Sequence, residues 1–239
     1  LISLKVNVSV SDISNQNAAF IAPEGSSNCD PASVTLTEIG GGSYLITVVG
    51  GAAKQAIDWY RSRFQQALAE IEDHFSKYRI SDALMSTYKL VWDDFCSWLL
   101  ECVKPAYGQP IDRGTRDEVV ALLEDNLKLL HPFVPFVSEA IWQDLAERSP
   151  EEALIVADWP KTSGFDSDLI DAFQQAMSVV SGVRTIRKEK NIPFRDSIEL
   201  LVIDHENVGS QLDAVVAKLG NISQIQRVTE KPSGALTFR

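Results

Sequence analysis

The sequence predicts a mainly α-helical protein: an antiparallel helical bundle with a small C-terminal α/β subdomain and a β-like N-terminal leader. Three observations predict it. Apolar residues recur at helical spacing through successive segments of residues 52–165, with short connections between them, which is the pattern of an antiparallel bundle. Residues 166–239 pair a long amphipathic stretch with alternating short strands and a helix. Residues 1–51 hold only five charged residues (Lys5, Asp12, Glu24, Asp30 and Glu38) among many Ser, Val, Asn and Gly.

In the leader, Leu4, Val6, Val8 and Val10 alternate with Lys5, Asn7 and Ser9, as in a half-buried strand. Residues 33–37 and 43–49, separated by Gly40-Gly41-Gly42, read as a hairpin, and Gly50-Gly51 marks the boundary. The first helix carries an apolar stripe of Ile57, Phe64, Leu68, Ile71, Phe75 and Tyr78. Ser81 is placed to cap a second helix with the stripe Leu84, Tyr88, Val91, Phe95, Trp98 and Cys102, which ends before Pro105. Thr115 and Glu118 have the spacing of a capping box for a third helix, whose stripe is Val119, Leu122, Leu123, Leu127 and Leu130.

That helix must stop at His131. Pro132 disfavours the α region for the residue before it, and Pro135 lacks the N–H of a continuing helix. Ser138 or a neighbour then opens a helix carrying Ile141, Trp142 and Leu145. Further on, Leu169, Phe173, Met177, Val180 and Val183 predict a helix over 168–190, stopped by Asn191-Ile192-Pro193. Strands over 198–203, 222–228 and 235–238 and a helix over 208–219 complete the expectation.

Composition bounds the function. Hydrophobic content of 45% and charged content of 23% are those of a soluble globular chain. No apolar run approaches the ~18 residues of a membrane span, and no signal peptide is evident. A net charge of −11 argues against a generic nucleic-acid binder, so any RNA contact must be local. Cys29, Cys96 and Cys102 have neither disulfide nor zinc spacing and read as buried reduced thiols of a cytoplasmic protein.

Several motifs occur in a telling order: Tyr78-Arg79-Ile80-Ser81-Asp82-Ala83-Leu84, Trp92-Asp93-Asp94-Phe95-Cys96-Ser97-Trp98-Leu99-Leu100-Glu101, and Lys104-Pro105. The corner Leu129-Leu130-His131-Pro132-Phe133-Val134-Pro135-Phe136, then Ala157-Asp158-Trp159-Pro160, then the run from Val183-Arg184 to Ile192-Pro193 complete the set. Together they resemble the anticodon-binding helical domain of class I aminoacyl-tRNA synthetases of the leucine, isoleucine and valine group, and the valyl-tRNA synthetases most. The family commonly has Trp-Tyr-Leu-Glu where this chain has Trp98-Leu99-Leu100-Glu101, a local packing departure.

The His-Ile-Gly-His-like and Lys-Met-Ser-Lys-Ser-like motifs that hold ATP in these enzymes do not occur here. The resemblance therefore implies the tRNA-reading part of a valine–tRNA ligase, inactive alone. ATP would belong to a catalytic domain that the chain lacks, and valine tRNA isoacceptors and that domain would be its partners. The isoleucyl relative stays open. So does a non-catalytic fragment acting as a protein-interaction module.

Arg184, Arg187, Lys188, Lys190 and Arg195 form the densest basic cluster, and helical spacing places the first three on one face. Such a face can hold RNA phosphates; it can also be a solvated helix end. Arg79 beside Tyr78 is a second tRNA-binding candidate, because unstacked anticodon bases are read by stacking and edge hydrogen bonds. Its structural alternative is to satisfy last-turn carbonyls or pair with Asp82. His131 reads as a corner-filling residue rather than a catalytic one, and no catalytic or metal-binding set is found. Trp92, Trp98, Trp142 and Trp159 read as core or interface anchors, and Asp93-Asp94 and Glu70-Glu72-Asp73 as solvated acidic faces.

Overall fold

The computed structural model describes residues 2–6, 33–40, 43–49, 51–105, 107–203, 212–229 and 235–236. In the leader, β1 (Ile2–Val6), β2 (Ser33–Gly40) and β3 (Ser43–Val49) form an antiparallel sheet in the order β1-β3-β2. The predicted hairpin is present, with Ser33 opposite Val49 and a register shift between Glu38 and Gly40. Val8 and Val10 lie outside the described residues.

Helix α1 (Ala52–Ser76) is the axis of the fold. Its inward face buries Ile57, Phe64, Leu68 and Ile71 as the spacing predicts, together with Trp59 and Tyr60. The stripe stops before Tyr78. Tyr78 takes the left-handed conformation (φ 57°), its N–H donates to the Phe75 carbonyl (3.0 Å), and the Arg79 N–H donates to the His74 carbonyl (2.9 Å). This pair of bonds closes the helix as a Schellman motif and swings the Tyr78 ring into solvent, where it is 89% exposed.

α2 (Ile80–Tyr88) continues without a break into a π-helical stretch (Lys89–Leu99) and a last α-turn (Leu100–Val103). Its N-cap position is Arg79, with no side-chain cap, so Ser81 lies inside the first turn rather than capping it. The buried residues are Ala83, Thr87 and Leu90, then Phe95, Leu99, Cys102 and Val103. The five-residue step from Leu90 to Phe95 is the wider π turn, within which Ser97 Oγ donates to the carbonyl of Trp92, five residues back (2.9 Å). A constant 3.6-residue period carried back from Phe95 places Leu84 and Tyr88 inside; the phase change turns them outward instead.

α3 (Arg113–Leu130) starts earlier than expected, with Asp112 rather than Thr115 as its cap: Asp112 Oδ1 accepts the Thr115 N–H (2.9 Å). Glu118, freed from the predicted box, pairs with Arg61 (3.1 Å). Buried Asn126 accepts the Tyr60 hydroxyl (2.8 Å), a bond that crosses from α3 to α1. Burial raises the Tyr60 phenol well above its usual pKa, so it stays a donor.

α4 (Pro135–Leu145) begins with proline at its first turn, where the missing N–H has no intrahelical partner to lose. At the corner the Leu130 carbonyl accepts the N–H groups of Phe133 (2.9 Å) and Val134 (3.0 Å). Ser138 lies inside α4 and does not open it; its Oγ meets His131 Nδ1 (2.8 Å) and donates to the Val134 carbonyl (2.9 Å). His131 thus ties the end of α3 to α4. Trp142 anchors a satellite cluster with Leu127 and Leu154, its indole N–H donating to the Glu152 carbonyl (2.8 Å).

α5 (Ser167–Glu189), capped by Asp166, packs back along α1, where Phe173 stacks on Trp59 with centroids 3.9 Å apart. β4 (Ile198–Ile203) and β5 (Ile222–Val228) pair in parallel, and α6 (Asp213–Gly220) covers them. The predicted helix start at 208 lies outside the described residues, as do Thr237 and Phe238; Ala235 and Leu236 are in no strand. Val215, Leu219 and Ile222 join the core built around α1, so bundle and appendage share one apolar interior. Among the described residues no helix is long and apolar enough to cross a membrane.

Candidate nucleic-acid interface

The predicted basic residues separate into two surfaces and one buried clamp. At one end of α1 stand Tyr78 and Arg79, both exposed. The His-Pro-Phe corner reaches the same end, because Phe133 stacks on Phe75 with centroids 6.0 Å apart, and Trp159 meets Phe75 edge-on (6.1 Å). Phe136 (89% exposed) and Val137 project from the start of α4 just beyond it. Lys77 pairs with Asp73 (2.6 Å), and that hydrogen bond holds the Asp73 carboxyl below the usual carboxylate range. Arg79's backbone N–H meets a last-turn carbonyl, while no hydrogen bond of its guanidinium, to Asp82 or another group, is seen among the described residues.

The second surface lies toward the other end of α1. The α2–π rod runs antiparallel to α1: Asp94 pairs with Arg63 (2.9 Å) and Phe95 meets Tyr60 edge-on (5.4 Å). Trp98 lies beyond them, and the Arg184 guanidinium sits 5.7 Å from its ring centroid. Counted along α1 at 1.5 Å per residue from Ser76 to Tyr60, this surface is at least roughly 25 Å from the Arg79 end. Arg184, Lys188, Lys190 and Arg195 are exposed there.

Arg187 is the correction. It does not share the exposed face of Arg184 and Lys188 but is 4% exposed. One terminal nitrogen donates to the carbonyls of Pro193 (3.0 Å) and Asp196 (2.9 Å), the other to those of Gly220 (3.1 Å) and Asn221 (3.0 Å). Four of its five N–H donors are taken and the fifth, on Nε, is buried, so it is closed to a phosphate. The signal was in the sequence: Phe173, Ala176, Val180, Val183 and Arg187 recur at steps of three and four, so Arg187 is in phase with the buried stripe.

Other expectations shift too. Trp98 and Trp159 pack against the core and Trp142 is buried, but Trp92 is 59% exposed and stacks on exposed Tyr88. Asp94 is not solvated; burial raises its carboxyl above the usual range, although Arg63 pulls the other way. Cys102 is buried whereas Cys96 is exposed, and Cys29 lies outside the described residues.

Comparison with known proteins places the chain in a family. A family described as the anticodon-binding domain of tRNA ligase matches residues 58–202. The chain belongs to that family. The anticodon-binding domain so defined contains Arg79, the corner and every residue of the basic cluster, and excludes the β leader. The chain is 57% identical over 187 residues to the valine–tRNA ligase of Christiangramia forsetii, and 45% identical over 187 residues to that of Parabacteroides distasonis. Each match covers 78% of this chain and 21% of the relative. The valine–tRNA ligase of Thermotoga maritima is 31% identical over 184 residues, covering 75% of this chain and 21% of its own. The chain therefore spans about a fifth of the length of these relatives.

Proposed function

We propose that this chain recognises the anticodon stem-loop of valine tRNA as the non-catalytic, tRNA-reading part of a valine–tRNA ligase. The observation that carries the reading is the two-ended layout within an anticodon-binding domain. Tyr78, Arg79 and Phe136 offer exposed rings and a guanidinium at one end, which suit unstacked bases. Arg184, Lys188, Lys190 and Arg195 offer positive charge toward the other end of α1, at least roughly 25 Å away, which suits backbone phosphates of a connected stem. Recognition at one end and phosphate grip at the other orient a rod-shaped RNA without any chemistry in this chain. ATP and the acceptor end of the tRNA then belong to the catalytic domain of the parent enzyme, which works in the cytoplasm.

The test is binding of the 239-residue chain to valine and isoleucine tRNA transcripts across a salt series. The reading expects preference for valine tRNA, affinity that falls steeply with salt, and weakening by charge reversal at Arg184, Lys188 and Lys190. A preference for isoleucine tRNA would reassign the family member. Salt-insensitive or absent binding by a folded chain would remove the recognition claim and leave the outward apolar residues Leu84, Met85, Tyr88 and Trp92 as a face for protein docking.

A further inference from the structure

We propose that the turn from Pro193 to Asp196 is a pre-organised nucleotide-binding tip, in which Phe194 stacks an unpaired base of the bound RNA and Arg195 pairs with the adjoining phosphate. The proposal rests on the tRNA-binding reading and adds a site to it. Its basis is the way the turn is held. Arg187 reaches from the buried side of α5 and donates to the carbonyls of Pro193 and Asp196, one on each side of Phe194 and Arg195. The Asp196 N–H closes the turn onto the Pro193 carbonyl (3.1 Å), and the Asn221 side-chain amide donates to the Phe194 carbonyl. The backbone of the tip is therefore fixed from behind by α5 and by the residue that follows α6.

With its backbone secured inward, the tip presents its two side chains outward. Phe194 is 55% exposed, and the Arg187 guanidinium lies 5.6 Å from its ring centroid, which steadies the ring from the protein side. The Arg195 side chain is 87% exposed, and its contact with Asp196 is long, at 3.7 Å. Exposed Lys188 and Lys190 precede the turn on the same stretch of chain. An aromatic ring among cations is how proteins hold a single unstacked nucleotide: the ring takes any base by its π-face and the cations take the backbone. Holding the turn rigid before the RNA arrives removes an ordering cost from binding. The tip belongs to the Arg184–Lys188 surface rather than to the Arg79 end, so its nucleotide lies away from the bases read beside Tyr78.

The experiment measures valine tRNA transcript binding by the full chain and its Phe194→Ala, Phe194→Leu, Phe194→Trp and Arg195→Gln variants, with the Lys188→Glu/Lys190→Glu double variant as the control for the underlying reading. Phe194→Ala is expected to weaken binding roughly 5-fold to 100-fold with an unchanged salt slope. Phe194→Trp is expected to retain binding, and its added emission over the parent chain should be quenched by the RNA. Arg195→Gln should reduce the salt slope by about one. If Phe194→Ala binds as well as the parent while the double lysine variant binds poorly, tRNA binding stands and the tip is overturned. If Phe194→Leu serves as well as Phe194→Trp, the residue is an apolar contact and base stacking is overturned. If the parent chain shows no salt-dependent tRNA binding, the recognition reading fails and takes the tip with it.

Discussion

Replacing Arg187 by methionine keeps much of the side chain's bulk and removes the guanidinium that joins α5, the 193–196 turn and the end of α6. Each of its four bonds, at 3.0, 2.9, 3.1 and 3.0 Å, is a charge-assisted hydrogen bond. Such bonds contribute about 1.5–3 kcal/mol apiece, yet a simple sum of about 6–12 kcal/mol would rival the whole stability of a domain. Two effects reduce it. Only the bond to Gly220 is buried; the other three carbonyls are part-exposed and water can take over from the guanidinium. The cation is itself buried with no carboxylate beside it among the described residues, and its Nε has no partner, so its desolvation offsets part of the gain. A loss of about 3 kcal/mol remains. Urea unfolding followed by circular dichroism measures it directly. Arg187→Lys should fall between the two, since an ammonium has three donors and no planar fork to span four carbonyls. A loss below about 1 kcal/mol for Arg187→Met would refute the clamp, because a solvated phosphate-binding arginine costs that little to remove.

Three further predictions follow from single contacts. Tyr78→Gly relieves a left-handed residue at the end of α1 and should raise stability by about 0.5–1 kcal/mol in thermal melts, while weakening valine tRNA binding by removing the exposed ring. Tyr60→Phe leaves the buried Asn126 oxygen unpaired and should cost about 1–3 kcal/mol in urea unfolding; replacing Asn126 by leucine as well should recover part of that loss. The Asp112 carboxylate accepts the Thr115 N–H, which holds its pKa below the usual range in the folded state. Its stabilisation is therefore present at neutral pH and lost as pH falls below about 4 through the folded pKa. Asp112→Ala should cost about 1 kcal/mol near pH 7, and the gap should close in melts at low pH.

Much of the fold was legible because it rests on periodicity. The α1 stripe from Ile57 to Ile71, the proline corner, the end of α5 near Asn191 and the two C-terminal strands all follow from spacing and turn chemistry. What spacing misplaced has physical causes. The π stretch changes the residue count per turn, which a fixed 3.6-residue period cannot anticipate, so Leu84 and Tyr88 face outward. No apolar residue stands between Asp112 and Val119 to mark the first turns of the helix, so spacing places the cap at Thr115 instead. At the candidate site, charge density marks the stretch from Arg184 to Arg195 but treats Arg187 as one cation among several. The buried phase it shares with Val180 and Val183 carries more information than its charge. Phe194, proposed to stack a base, is a lone exposed phenylalanine with no sequence signature; the turn that holds it is what singles it out.

The most direct test of the two-ended account is to alter the anticodon bases of the valine tRNA transcript and measure binding to the parent chain and to Arg79→Ala. The account predicts that the altered anticodon binds at least about 10-fold more weakly to the parent, the size of one good base contact, and that Arg79→Ala erases most of the difference while Lys188→Glu does not. Equal binding of both transcripts by a folded parent chain, or discrimination that survives loss of Arg79, would contradict it.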